Sequence, residues 1–407
     1  MRLPFFLPAL LFAGLLAPLS ALAEDGFVPL FNGKDFSGWT NVNCAPSTWS
    51  FNEEGLLVCT GKPIGEIRTE RMYQNFILEL EWRHLVPKGN AGVFVWADDI
   101  TAKGQPFIRG VEIQVLENAY GNTKSYTTHG DIFPIHGAKM KPTNGRGGVR
   151  SFPTEFLSNP SPEWNHYRIE CNDGTIKLWV NGTKVNEGRE CLPKKGYICL
   201  ESEGGVVHYR NVRIKELPDT PVTPEETAIA DRGYETFYNG VDLSGWQRSS
   251  DRWKAKDWNL VFTEKPNSDQ GGFLISKDLS VHSRIIFDIR FLSDSGSLSL
   301  YPAGLERQFI KFDPNAPKDP PEILTTPYVS KALEKPGKWN RVEIHRMSNG
   351  LKMKVNGIDS LEWLWDVLWT LETPTPFAFS TNSPLEMANF YIKDESSPPP
   401  AKDPFGR

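Results

Sequence analysis

Apolar runs long enough to matter are missing from this 407-residue chain beyond its first two dozen residues. Nothing later is apolar over the ~18 residues that a membrane span requires. Basic runs and basic helices are absent too, and the formal charge is −5, so nucleic acid and anionic membranes are poor partners. The five cysteines, Cys44, Cys59, Cys171, Cys191 and Cys199, contain no CxxC pair, and their odd number leaves at least one without an intramolecular partner. We read them as structural. A GxSxG elbow, a phosphate-cradling glycine loop and a zinc-finger spacing are all lacking, which disfavours esterase, nucleotide-binding and zinc-ribbon functions. No motif asks for an organic cofactor. Helical periodicity is nearly absent as well, apart from a short stretch near Leu361 to Leu371.

What the chain has instead is strand alternation, aromatic residues and internal repetition. Ile77 to Arg83 and Val111 to Val115 alternate apolar and polar, and Tyr167 to Val180 turns at Asn172-Asp173-Gly174 as a hairpin. Aromatic residues make up 12% of the chain, with 13 tryptophans, as suits β-rich cores and sugar-stacking surfaces alike. The motif Phe31-Asn32-Gly33 through Ser37-Gly38-Trp39 returns as Tyr238-Asn239-Gly240 through Ser244-Gly245-Trp246. Trp164-Asn165 with Val180-Asn181-Gly182 returns as Trp339-Asn340 with Val355-Asn356-Gly357, and Asn211 to Lys215 returns as Asn389 to Lys393.

These signals predict an all-β fold: tandem jelly-roll β-sandwiches. Residues 1–23, with Arg2, an apolar stretch and Ala21-Leu22-Ala23, read as a signal peptide cleaved after Ala23, which predicts a secreted or periplasmic protein. The first domain is expected over 24–217, a Pro-rich linker over 218–231, a second, degenerate copy over 232–395 and a disordered tail over 396–407.

Between Gly92 and Trp164 the first copy spends 72 residues, where the second spends 43 between Gly296 and Trp339. The extra length is expected to hold the Val111–Leu116 strand and the loop Thr127-Thr128-His129-Gly130-Asp131 through His136-Gly137. Loops of that length on compact sandwiches are often functional. Glu112 and Gln114, two apart on a strand, share one face. With His129, Asp131 and His136 they suit a general-base site, a divalent-metal site with His129, Asp131 and Glu112 as ligands, or a plain polar face. Arg83, Asn90 and Trp96 are candidate ligand contacts, Trp96 as a stacking platform. Glu201 and Glu203 share a face and suit acid–base work.

The opening Gly26 to Trp39, Phe76 to Trp82, Gly89-Asn90-Ala91-Gly92-Val93-Phe94, Val111-Glu112-Ile113-Gln114-Val115-Leu116 and the closing His208 to Ile214 resemble the 3-keto-disaccharide hydrolase family. The resemblance covers about residues 25 to 217, and the second copy shares only its opening, Trp-Asn and closing elements. It implies a concanavalin-like jelly roll acting on glycosides oxidised to a ketone at sugar carbon 3, by 1,2-elimination and hydration of the resulting glucal. In that reading His129 or His136 is the base, Glu112 and Asp131 its partners or metal ligands, and Gln114 with Arg83 hold the sugar. The alternatives left open are a non-catalytic carbohydrate-binding protein and a conventional glycosidase using Glu201 and Glu203. Sequence assigns no oligomeric state.

Overall fold

The computed structural model describes residues 26–120, 129–230, 232–263, 271–304, 309–316, 327–364 and 371–396. The predicted signal peptide, Thr127-Thr128 and the tail beyond Ser396 lie outside the described residues. Among the described residues every element is a strand except two 3-10 turns, Pro46–Thr48 and Pro224–Glu226. The all-β expectation holds, and the strands form four sheets paired into two sandwiches.

The alternation read from sequence becomes packing directly. In the Asn165–Asn172 strand every second side chain is buried, and Tyr167, Ile169 and Cys171 join a core with Leu78, Leu80 and Trp82 of Phe76–His84. Each large apolar side chain so buried contributes about 1.5–3 kcal/mol. These strands belong to a nine-stranded back sheet. The facing six-stranded sheet runs Trp39–Asn41, Gly65–Thr69, Tyr197–Ser202, Asn90–Ala97, Gly110–Leu116, Ile132–Ile135. Its inward residues Ile67, Leu200, Val93 and Ile113 close the same core.

The second sandwich repeats this strand order, except that the Lys139–Pro142 edge strand has no counterpart and its last short strand, Tyr328–Val329, runs parallel to its neighbour where Ile132–Ile135 runs antiparallel. Its larger sheet runs Trp253–Lys256, Asn259–Phe262, Leu385–Asp394, Ser283–Phe291, Asn340–Met347, Gly350–Val355, Ile358–Leu364. Its six-stranded sheet runs Trp246–Arg248, Gly272–Leu279, Thr375–Thr381, Leu298–Tyr301, Ile310–Phe312, Tyr328–Val329. Two expectations change here. The helical stretch near Leu361 begins as a strand through Leu364, paired with Gly350–Val355, and residues 365–370 lie outside the described residues. The Val111–Leu116 strand is not extra to the first sandwich, because Ile310–Phe312 occupies the matching place in the second.

The Pro-rich linker is packed rather than loose. Gln74 and Asn75 side chains donate to the Thr220 and Pro218 carbonyls at 2.7 and 2.8 Å, and Ala228 N–H donates to Lys195 O at 2.8 Å. All five cysteines are buried and unpaired with one another.

Candidate active site

Antiparallel register assembles the site from four strands of the six-stranded sheet. Glu201 lies opposite Glu66, Leu200 opposite Val93, and Gly92 opposite Gln114. Directly paired residues of an antiparallel sheet point to one side. Glu66, Glu201, Gly92 and Gln114 therefore form a row on the outer face, with Asn90, Glu112 and Glu203 two residues to either side. The alternation that sends Ile113 and Val115 into the core is what sends Glu112 and Gln114 out.

Gly92 makes room for two carboxyls. A Cβ there would stand 2.8 Å from Glu112 Oε1 and 2.9 Å from Glu201 Oε2. Glu66, Glu112 and Glu201 are all buried, and Glu66 Oε1 and Glu201 Oε2 have no hydrogen-bond partner among the described residues. Glu66 Oε2 accepts the Ile108 N–H at 3.0 Å. At the mouth, the half-exposed Glu203 accepts from Asn90 Nδ2, while Gln114 Nε2 donates to Asn90 Oδ1 at 3.0 Å.

Burial and mutual repulsion set the protonation of this row. Burial first, and then the charges of Glu203 and Asp131, hold Glu112 well above the carboxylate range, with Arg150 opposing. Burial, then Glu112, Glu203 and Glu66, do the same to Glu201. Burial also raises Glu66, against the Ile108 hydrogen bond, with a further push from Glu112. Glu203 is pushed up to about 7 by burial, against the Asn90 hydrogen bond. Tyr120 stands close enough for burial and then Glu203 and Glu201 to raise its hydroxyl.

Next to this row, Gln114 N–H donates to Asp131 O at 2.9 Å, and fully buried Asp131 pairs with Arg150 at 3.0 Å. The Arg150 guanidinium also lies 3.4 Å from the ring centre of Phe133, which faces Glu112. His129 is buried with its ring edge-on to Phe156 at 5.8 Å, and burial alone pushes its pKa down to about 4. It is a neutral imidazole whose Nε2 is unpartnered among the described residues. His136 lies past the far end of Ile132–Ile135, five residues and about 17 Å of extended chain from Asp131.

The structure therefore brings Asn90, Glu112, Gln114, Glu201 and Glu203 together, sets Asp131 at their edge and leaves other candidates elsewhere. Arg83 is on the opposite sheet, its guanidinium 4.5 Å from the Trp164 ring centre, where Glu79 and Glu81 form ion pairs with Arg168, Arg213 and Arg210. Trp96 is no platform. A register shift in the Tyr197–Ser202 pairing and a φ of 54° at Trp96 turn its ring into the core, where Nε1 donates to Gln74 O at 2.8 Å. Glu66 and Arg150 went unnoticed in the sequence. Glu66 alternates with Ile67 in Gly65–Thr69, but only the pairing with Glu201 places it in the row.

The predicted metal ligands do not converge. Asp131 is turned to Arg150 and Glu112 to Glu201, and no group of three or more His, Cys, Asp or Glu among the described residues could hold a metal ion.

An all-β sandwich with one carboxyl-rich outer face is the class that these features define. Residues 26–215 match the model of the 3-keto-alpha-glucoside-1,2-lyase-like domain. A 3-keto-disaccharide hydrolase of Bacteroides thetaiotaomicron is 25% identical over 245 residues, covering 47% of this chain and 79% of that protein. Two solved structures of candidate glycosyl hydrolases from Parabacteroides distasonis are 25% and 27% identical, with TM-scores of 0.37 and 0.36. Both cover 47% of this chain, and 94% and 99% of their own chains.

Proposed function

We propose that the 26–215 domain cleaves glycosides already oxidised to a ketone at carbon 3 of the sugar. The ketone acidifies the hydrogen on carbon 2. Glu203, poised near neutrality and oriented by Asn90, takes that proton. The resulting enolate oxygen accepts a hydrogen bond from protonated Glu112 or Glu201, in the way a buried neutral acid stabilises an oxyanion. The electron pair then expels the aglycone from carbon 1, and the second buried acid protonates the leaving oxygen. Addition of water across the carbon 1–carbon 2 double bond completes net hydrolysis. Gln114 and Asn90 supply contacts to sugar hydroxyls. The glutamates replace His129 and His136 as the bases of this scheme, because burial lowers His129 to about 4, too weak a base for a carbon acid, and His136 lies beyond the row. The N-terminal apolar segment supports export.

The observation that carries this reading is the convergence of four carboxyls around Gly92, of which burial raises three well above the carboxylate range and the fourth, Glu203, to about 7. A conventional retaining glycosidase is the second reading, since Glu112 and Glu201 flank Gly92 closely enough for a carboxylate pair. It needs one of that pair ionised, which their burial opposes.

Incubation with 3-keto-glucosides and with the unoxidised parents, following enone absorbance and aglycone release, separates the two. Turnover of the keto forms alone is expected, rising with pH through about 7 as Glu203 loses its proton. Glu203→Gln should lower that rate about 10²–10⁴-fold. Cleavage of the unoxidised parents would overturn the proposal.

A further inference from the structure

The second sandwich grips the first at two loops, and both lead to Glu66. The loop between Asn90–Ala97 and Gly110–Leu116 meets the outer face of the larger second-domain sheet. Gly104 N–H donates to buried Asp288 Oδ2 at 2.8 Å, and Asn389 Nδ2 donates to the Ala102 and Gln105 carbonyls at 3.2 and 3.0 Å. Thr101 Oγ1 and the Tyr391 hydroxyl share a hydrogen bond of 2.8 Å. Gly104, at φ +65°, lies so close to the Trp339 ring that a Cβ would collide with it. At the second loop, Ile64 N–H donates to Asp257 Oδ1 at 3.1 Å, and Gly240 packs on Pro63.

Each loop ends on Glu66. Two residues after Ile64 comes Glu66 itself, whose N–H donates to Asn43 Oδ1 at 3.1 Å. The same Asn43 holds the gripped loop through Pro106 O at 2.7 Å, and two residues further Ile108 N–H donates to the Glu66 carboxyl at 3.0 Å. Ile286 and Tyr391 of the second sandwich join Phe94, Ile108 and Tyr197 in a shared apolar cluster beside the row.

We propose that the second sandwich is an intramolecular clamp that makes Glu66 a positioning residue, fixing the Ile108 N–H on its carboxyl and, through it, the geometry of Glu201 and Glu112. The catalytic half of this inference rests on the lyase reading above. Glu66 touches no substrate in that scheme; it acts through its row neighbours. The titratable groups around it are Glu201 and Glu112 in the row and the thiols of Cys44 and Cys199, each close enough to feel its charge. Loss of the Ile108 bond removes a contact that favours the ionised carboxyl, so Glu66 would hold its proton to higher pH.

The test uses the full chain with two interface substitutions that leave the row intact. Gly104→Ala wedges the loop off Trp339, and Tyr391→Phe removes one hydroxyl and keeps the ring. Hydrogen exchange at the Ile108 amide and isotope-edited infrared titration of the glutamate carboxyls are measured beside 3-keto-glucoside turnover. In Gly104→Ala we expect Ile108 exchange at least tenfold faster, a row titration moved to higher pH, and kcat about tenfold lower with KM within about twofold. Tyr391→Phe should move the same quantities less. Unchanged exchange and titration in Gly104→Ala overturn the clamp. Faster exchange with unchanged kcat overturns the positioning role. Should the parent protein turn over no keto-glycoside, the lyase reading fails, and the exchange and titration still decide whether the clamp exists.

Discussion

Two sandwiches in one chain keep the same polar knots and differ across one face. In the first, Asn32 ties Asp35 and the Lys34 and Asp35 amides, and Asp35 receives the Ser37 N–H; Asn239, Asp242 and Ser244 repeat the pattern. Asn181 Nδ2 reaches Asn165 Oδ1 while its own oxygen accepts the His166 N–H, and Asn356 does the same with Asn340 and Arg341. Asn211 and Asn389 take positive φ at matching places beside a shift in pairing. These residues answer demands of the backbone, which both copies of the topology impose. The outer face of the six-stranded sheet is under no such demand. Where the first sandwich sets Glu66, Glu201, Gly92 and Gln114, the register of the second sets Phe273, Ser380, Ser299 and Lys311. A shared knot marks a folding requirement; a row that changes marks the chemistry.

Gly92 offers the sharpest way to break that contrast. In the register of the second sandwich its counterpart is Ser299, not the Gly296 on which the two copies align in sequence, and Ser299 stands between Ser380 and Lys311. Gly92→Ala places a methyl between Glu112 Oε1 and Glu201 Oε2 at under 3 Å, so one carboxyl must move. Keto-glycoside turnover should fall about 10²-fold, the scale of an ångström's misplacement in an active site. Ser299→Ala should leave it unchanged. Equal effects on turnover would dissolve the distinction between the two faces.

The knots should behave in the opposite way, alike in both sandwiches. Asn165 and Asn340 are buried and each accepts two side-chain or backbone donors. Replacing either by Ala strands those donors, at about 1–3 kcal/mol. Denaturant unfolding of Asn165→Ala and Asn340→Ala should show losses of similar size. A loss confined to the first sandwich would mean that the shared motif is not simply scaffold.

How much of this was legible beforehand follows from the same division. The knots and the alternation are local, so the strands, the sandwich class and the shared face of Glu112 with Gln114 could be read from the residues. The row is not local. Glu66 meets Glu201 across 135 positions of chain, and only strand pairing joins them. Trp96 misled because one residue with positive φ reverses the inside–outside sense of its strand. His129 and His136 stood out because histidines are rare, with 7 in the chain, but rarity says nothing about direction. Arg83 alternates correctly and still faces away, because nothing in its strand tells which of two sheets carries the site.

The smallest expected effect concerns pH. A carboxyl raised in the fold above its unfolded value binds protons that the unfolded chain releases, so its contribution is complete below the unfolded value and fades as pH rises toward the folded one. Glu201 is such a group. Glu201→Gln removes that titration, so the variant's melting temperature relative to the parent should climb between pH 5 and 9. The gain should reach roughly 2–4 °C, the shift that about 1 kcal/mol brings in a domain of this size. The matching position Ser380 does not titrate, and Ser380→Ala should show no such slope. A pH-independent difference for Glu201→Gln would mean that the side chain is ionised in the fold. Glu201 could then supply no neutral acid to the proposed scheme, and the hydrogen bond to the enolate would fall to Glu112.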